Sequence, residues 1–177
     1  SARLLIRGAR VFDPREGVDA LLDVTLADGV ITGLGDAGTL SVPEGGETIE
    51  AEGRLLVPAF VDPHVHFRTP GQEHKETIAT GTASAAAGGY CAVLAMPNTN
   101  PAPDAADVLR SLQERIQRDA HVRVLPIGCV TRGRAGKELA ELAELAAGGC
   151  VALSDDGNPV ANARLMRNAM ELAAAMG

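Results

Sequence analysis

The stretch Pro58-Ala59-Phe60-Val61-Asp62-Pro63-His64-Val65-His66-Phe67-Arg68 reads as a strand that ends in chemistry. Successive strand side chains point to opposite faces, so His64 and His66, two apart, share one face. Two imidazoles on one face at a strand's C-terminal end can hold one metal ion, and barrel enzymes place their chemistry at that end. By itself a His-x-His pair is a weak signal, because two satisfied or exposed histidines fit it equally. The surrounding sequence decides its meaning.

Downstream of Pro58, strand and helix alternate. Residues 60–67, 90–96, 122–129 and 150–153 have strand character. Residues 73–87, 105–118, 138–147 and 162–176 have helical character. The pairs Gly88-Gly89 and Gly148-Gly149 are helix stops. Gly88-Gly89 precedes a strand, whereas a phosphate loop needs the reverse order. Four β/α units in a row predict a parallel sheet with helices outside it. Such a sheet is either a small open α/β sheet or half of an eight-fold barrel.

Upstream, residues 1–56 read as short strands. Leu4-Leu5-Ile6 leads through Gly8 to Val11-Phe12, and Leu22 to Leu26 alternates. Ala27-Asp28-Gly29 is a hairpin turn signal before Val30-Ile31. A Gly/Pro-bearing stretch, 41–47, precedes further strands at 48–51 and 55–57. The expected division is a β-segment over 1–56, part of a composite sandwich, and incomplete barrel units over 57–177.

The 177 residues are 46% hydrophobic and 22% charged, a globular rather than disordered composition. Net charge is −7, and no Lys/Arg cluster offers a nucleic-acid face. No apolar run approaches the roughly 20 residues of a membrane span. Ser1-Ala2-Arg3 does not start a secretory signal, and the missing Met suggests processing. Cys91, Cys129 and Cys150 are odd in number and widely spaced, without a Cys-x-x-Cys pair. They are expected to be small buried hydrophobes in a reducing, cytoplasmic setting.

The residues from Pro58 to Arg68, followed by Pro70-Gly71, resemble the metal-binding strand of dihydroorotases and of the related allantoinases and hydantoinases. Met96-Pro97-Asn98-Thr99 is similar to a second dihydroorotase motif, at the end of the second barrel strand. Ser154-Asp155-Asp156-Gly157 is similar to a third, at the end of the fourth, and the likeness extends back to Arg10-Val11-Phe12-Asp13-Pro14. Ala59 departs from the glycine usual in the family. The resemblance implies the first half of a (β/α)8 barrel behind a small β-sandwich segment. Family members are more than twice this length, and further histidine ligands and a catalytic aspartate are expected downstream of Gly177. The fragment alone is therefore expected to be inactive.

Site roles follow from the same resemblance. His64, His66 and Asp156 are the expected metal ligands, for one or two zinc ions, with Asp156 also the catalytic carboxylate. Asp155 is expected to orient a neighbour or cap the turn. Arg68, two residues past His66, and Asn98 are expected to bind the carboxylate of a small-molecule substrate, Arg68 through its planar guanidinium. Read without the resemblance, Asn98 is turn chemistry in Asn-Thr-Asn-Pro. His74 and His121 are expected to be bland. The implied reaction is reversible closure of N-carbamoyl-L-aspartate to L-dihydroorotate in pyrimidine synthesis. Many relatives bridge two metals with a carboxylated lysine, but Lys75 and Lys137 are the chain's only lysines and neither ends a strand. Two alternatives stand beside this reading: another cyclic-amide hydrolase, such as an allantoinase or hydantoinase, and a non-catalytic scaffold supporting aspartate carbamoyltransferase. A homodimer and an aspartate carbamoyltransferase partner are both compatible with the resemblance.

Overall fold

A computed structural model describes residues 3–177 as two compact units that divide after Pro58. The first holds β1 (Arg3–Asp13), β2 (Val18–Ala27), β3 (Val30–Asp36), β4 (Glu47–Glu50) and β5 (Leu55–Leu56) in one sheet. Its order is β3-β2-β1-β4, with β5 also on β1. The β1/β2 and β2/β3 pairs are antiparallel, and β4 and β5 run parallel to β1. Asp28 and Gly29 both take positive φ, as a tight two-residue hairpin turn requires. A sandwich needs a second sheet, and the described residues of this unit supply one layer only. Leu21, Val30, Ile31 and Leu34 on β2 and β3 stay exposed.

The register of β1 slips between Ile6 and Ala9, where Gly8 adopts φ +67°. The bulge aims the Gly8 amide at Asp23, a buried carboxylate on β2. Asp23 accepts from Gly8 N at 2.9 Å, Gly38 N at 2.8 Å and Leu40 N at 3.2 Å. Desolvation pushes its pKa up, but these three amides and the nearby Arg7 outweigh it and hold the carboxyl below its usual value. A depressed folded-state pKa stabilises the fold above the unfolded value, about 3.9. That stability is lost as pH falls through the lower folded value. Denaturation midpoints of wild type and Asp23→Asn should therefore differ most near pH 7 and converge below about pH 4. A constant difference across that range would contradict this role.

The second unit contains β6 (Phe60–Val65), α1 (Ile78–Ala87), β7 (Tyr90–Ala95), α2 (Ala106–Asp119), β8 (Arg123–Gly128), a 3-10 turn (Arg132–Arg134), α3 (Leu142–Ala147), β9 (Ala152–Leu153) and α4 (Ala163–Met176). Its four strands are parallel, in the order β6-β7-β8-β9, curling as one half of a barrel. All four C-terminal ends therefore face one side. Val93 and Val124 pack with Phe67, Ile78 and Leu112 in one core cluster. Cys129, Leu142, Leu145 and Leu109 form another. Gly81 stands inside α1 because a Cβ there would lie 2.5 Å from the Phe67 ring. This close approach seats Phe67, the neighbour of His66, under the helix. No helix among the described residues is long and apolar enough to cross a membrane.

Two helices start later than the sequence composition suggests. α1 begins at Ile78 rather than residue 73, because Thr77 and Thr80 form a reciprocal capping box. The charged run before it folds as a turn, with Lys75 N on Gln72 O. α3 begins at Leu142 rather than residue 138. Leu139 bridges to Thr131, and Arg132 N and Ala140 N bond Glu138 O and Val130 O, which draws this segment onto the loop after β8.

Candidate metal centre

β6 ends at Val65, so only His64 lies on the strand, and His66 follows in irregular chain. The two rings still meet edge to face, 5.0 Å apart. Asp62 fixes the approach, its carboxylate accepting from His64 N at 3.0 Å. Across the sheet, the loop after β9 brings Asp156 to them. His64 Nε2 stands 3.5 Å from one Asp156 oxygen and His66 Nε2 3.8 Å from the other. A ligand atom from each of the three lies within 4.8 Å of the others. Two imidazole nitrogens and a carboxylate within 4.8 Å of one another make a group that could hold a metal ion.

Asn98, at the end of β7, ties the cluster together. Its Nδ2 donates to Asp156 Oδ2 at 2.9 Å, and its Oδ1 lies 2.9 Å from His66 Nδ1. A carboxylate can only accept, which orients the amide and leaves Oδ1 toward the ring. His66 Nδ1 must then carry the proton, and in the neutral ring the lone pair is on Nε2, facing Asp156. Side-chain amides that hold a histidine in this way set its tautomer and its aim. Nδ2 makes no second hydrogen bond among the described residues.

Asp155 has a different environment. It is buried, and its carboxylate accepts from Val130 N at 2.9 Å, Thr131 N at 3.0 Å and the Thr131 hydroxyl. It fastens the loop after β9 to the loop after β8. Arg134, in that second loop, donates from Nη1 to the Asp156 backbone oxygen at 2.7 Å. Nothing in the local sequence marks Arg134 beyond the flanking glycines of Gly133-Arg134-Ala135-Gly136.

The structure thus brings His64, His66, Asn98 and Asp156 together. Arg68 lies beyond the end of β6 with φ +58°, so period-two alternation does not apply to it. Its guanidinium makes no hydrogen bond or ion pair among the described residues. His74 and His121 are exposed, as are Lys75 and Lys137, both outside helices and strands. Cys129 is fully buried and Cys150 half-buried, and burial pushes both thiols to about 12. Neither is a thiolate donor at neutral pH. Cys91 departs from the burial expected of it: it is exposed on β7.

Residues 53–177 match the family described as "Dihydro-orotase-like". Over 174 residues, 98% of this chain, the sequence is 51% identical to a dihydroorotase of Citrifermentans bemidjiense and 48% identical to one of Anaeromyxobacter sp. (strain K). It spans about 40% of the length of these curated relatives, covering 41% of the first and 40% of the second. Among solved structures, the L-hydantoinase (dihydropyrimidinase) of Arthrobacter aurescens aligns with a TM-score of 0.83 at 17% identity, over 99% of this chain and 39% of that one. A crystal structure of a dihydroorotase aligns at 0.59 and 16% identity, over 86% of this chain and 42% of that one. At these identities the likeness is one of fold, and the chain covers 39% and 42% of those two structures.

Proposed function

Since the chain belongs to the dihydroorotase-like family, we propose that the full-length protein is a zinc-dependent dihydroorotase interconverting N-carbamoyl-L-aspartate and L-dihydroorotate. One observation carries the reading: His64, His66 and Asp156 converge from the ends of β6 and β9 with ligand atoms within 4.8 Å of one another. A bound zinc supplies Lewis-acid polarisation of the ring amide carbonyl and acidifies a water for its hydrolysis. The protein's part is to hold and orient. His64, His66 and Asp156 supply donors, and Asn98 aims His66 and Asp156. Arg68, with no carboxylate partner among the described residues, takes the substrate carboxylate that ring closure leaves unchanged. The second Nδ2 hydrogen of Asn98 is available to the same group, so Asn98 can orient the ligands and bind substrate together. The three cysteines form no disulfide, which supports a cytoplasmic location.

The full-length enzyme should cyclise N-carbamoyl-L-aspartate and should turn over hydantoin or allantoin poorly. Arg68→Lys should lower kcat/KM for dihydroorotate by about 10–150-fold, the equivalent of roughly 1.5–3 kcal/mol for one charge-assisted contact. An ammonium cannot reproduce the planar two-point contact. Unchanged kcat/KM, or better turnover of hydantoin than of dihydroorotate, would remove Arg68 from this role and favour the hydantoinase reading.

A further inference from the structure

Asp156 sits on a loop that its neighbour grips at several points. Arg134 Nη1 donates to the Asp156 carbonyl, and Asn158 Nδ2 donates back to the Arg134 carbonyl at 2.8 Å. Thr131, already bonded to Asp155, also accepts from Gly136 N at 2.9 Å. A Cβ on Gly136 would lie 3.3 Å from Pro159 O, so the two loops are in contact.

Arg134 holds its place against two local disadvantages. Its φ is +55°, in the left-handed region that a side chain with Cβ rarely adopts. Its Nε is buried without a hydrogen-bond partner among the described residues. An arginine with only a surface role would satisfy its Nε by turning the side chain to solvent. Strain and an unmet donor kept together at one residue point to a use, and the contact they secure is the one to Asp156.

We infer that Arg134 is a positioning residue of the metal centre. It fixes the Asp156 main chain so that the carboxylate faces His64 and His66 before a metal binds. The inference rests on Asp156 being a ligand. Arg134 contacts the Asp156 carbonyl and neither carboxylate oxygen, so it acts by holding the main chain rather than by neutralising the ligand. Arg68 stands on the loop after β6 and hydrogen-bonds neither Arg134 nor Asp156 among the described residues, so its hold on substrate does not run through Arg134, whereas Asn98 is bonded to Asp156 Oδ2.

The test uses the full-length enzyme. Arg134→Asn removes the guanidinium while keeping a residue tolerant of positive φ, and Arg134→Lys keeps the charge. Zinc affinity is measured by chelator competition and folding by circular dichroism and denaturation midpoint. At saturating zinc, kcat and KM are then compared. Arg134→Asn should fold, bind zinc about 10–100-fold more weakly, and lose kcat with KM little changed. Arg134→Lys should recover part of the affinity. Wild-type zinc affinity in a folded Arg134→Asn enzyme overturns the inference. If that variant does not fold, wild-type affinity in Arg134→Met, which keeps the stem without a donor, overturns it equally. Asp156→Ala run alongside separates the two claims. Zinc retained in Asp156→Ala means the ligand assignment itself is wrong. Zinc lost there but kept in Arg134→Asn means only the positioning role has failed.

Discussion

Asp156→Ala in the full-length enzyme should lose zinc affinity and dihydroorotase activity together, by more than the about 10–100-fold that follows loss of a residue which merely orients a ligand. Asp156 is the one carboxylate among the described residues that lies near both His64 and His66. It is also only half-buried, 22% exposed at the side chain, so the group can meet an incoming ion. Its removal takes away the anionic donor and also frees the Asn98 amide, which loosens His66. Zinc content by elemental analysis and kcat/KM for dihydroorotate are the two readouts. An Asp156→Ala enzyme with full zinc and full activity would show that the fourth strand's ligand lies elsewhere.

Asp155→Ala should do the opposite kind of damage. Its carboxylate serves two backbone amides and one hydroxyl in a buried setting. Alanine leaves all three donors without an acceptor, and each unmet buried donor costs about 1–3 kcal/mol. The expected loss is on the order of 3–5 kcal/mol of stability. Asp155→Asn should recover part of it, since one oxygen still accepts. Zinc content in the folded fraction should fall less than in Asp156→Ala. Equal denaturation midpoints for wild type and Asp155→Ala would contradict the stapling role. The adjacent aspartates are thus separable by one stability measurement and one metal measurement.

Much of the barrel half was legible because its cues are local. Gly88-Gly89 and Gly148-Gly149 close helices where the composition says they do, and β7 and β9 follow these stops as short apolar runs. His64-Val65-His66 and Asp155-Asp156-Gly157 are visible as motifs because two donors lie within a few residues of each other. What composition could not place depends on distant partners. The start of α3 is set by Leu139 pairing with Thr131, eight residues back, which no helical periodicity encodes. Asn98 meets His66 and Asp156 across separations of 32 and 58 residues, so its own sequence shows only a turn. Arg134 reaches Asp156 over 22 residues from a left-handed backbone, and composition marks it only as one arginine among several. Arg68 is a simpler case. The strand stops at Val65, and alternation cannot be counted past its end.

On the proposed reading, His64, His66 and Asp156 hold zinc in the full-length protein without help from a carboxylated lysine. Lys75 and Lys137 lie on exposed loop chain, and neither is in the donor group. The most direct measurement strips the full-length enzyme of metal and restores zinc in bicarbonate-free and bicarbonate-containing buffer, following cyclisation of N-carbamoyl-L-aspartate. Equal recovery in the two buffers is the predicted result, because an aspartate is already ionised at neutral pH. Recovery that strictly requires bicarbonate would contradict it and assign the bridging anion to a lysine carbamate.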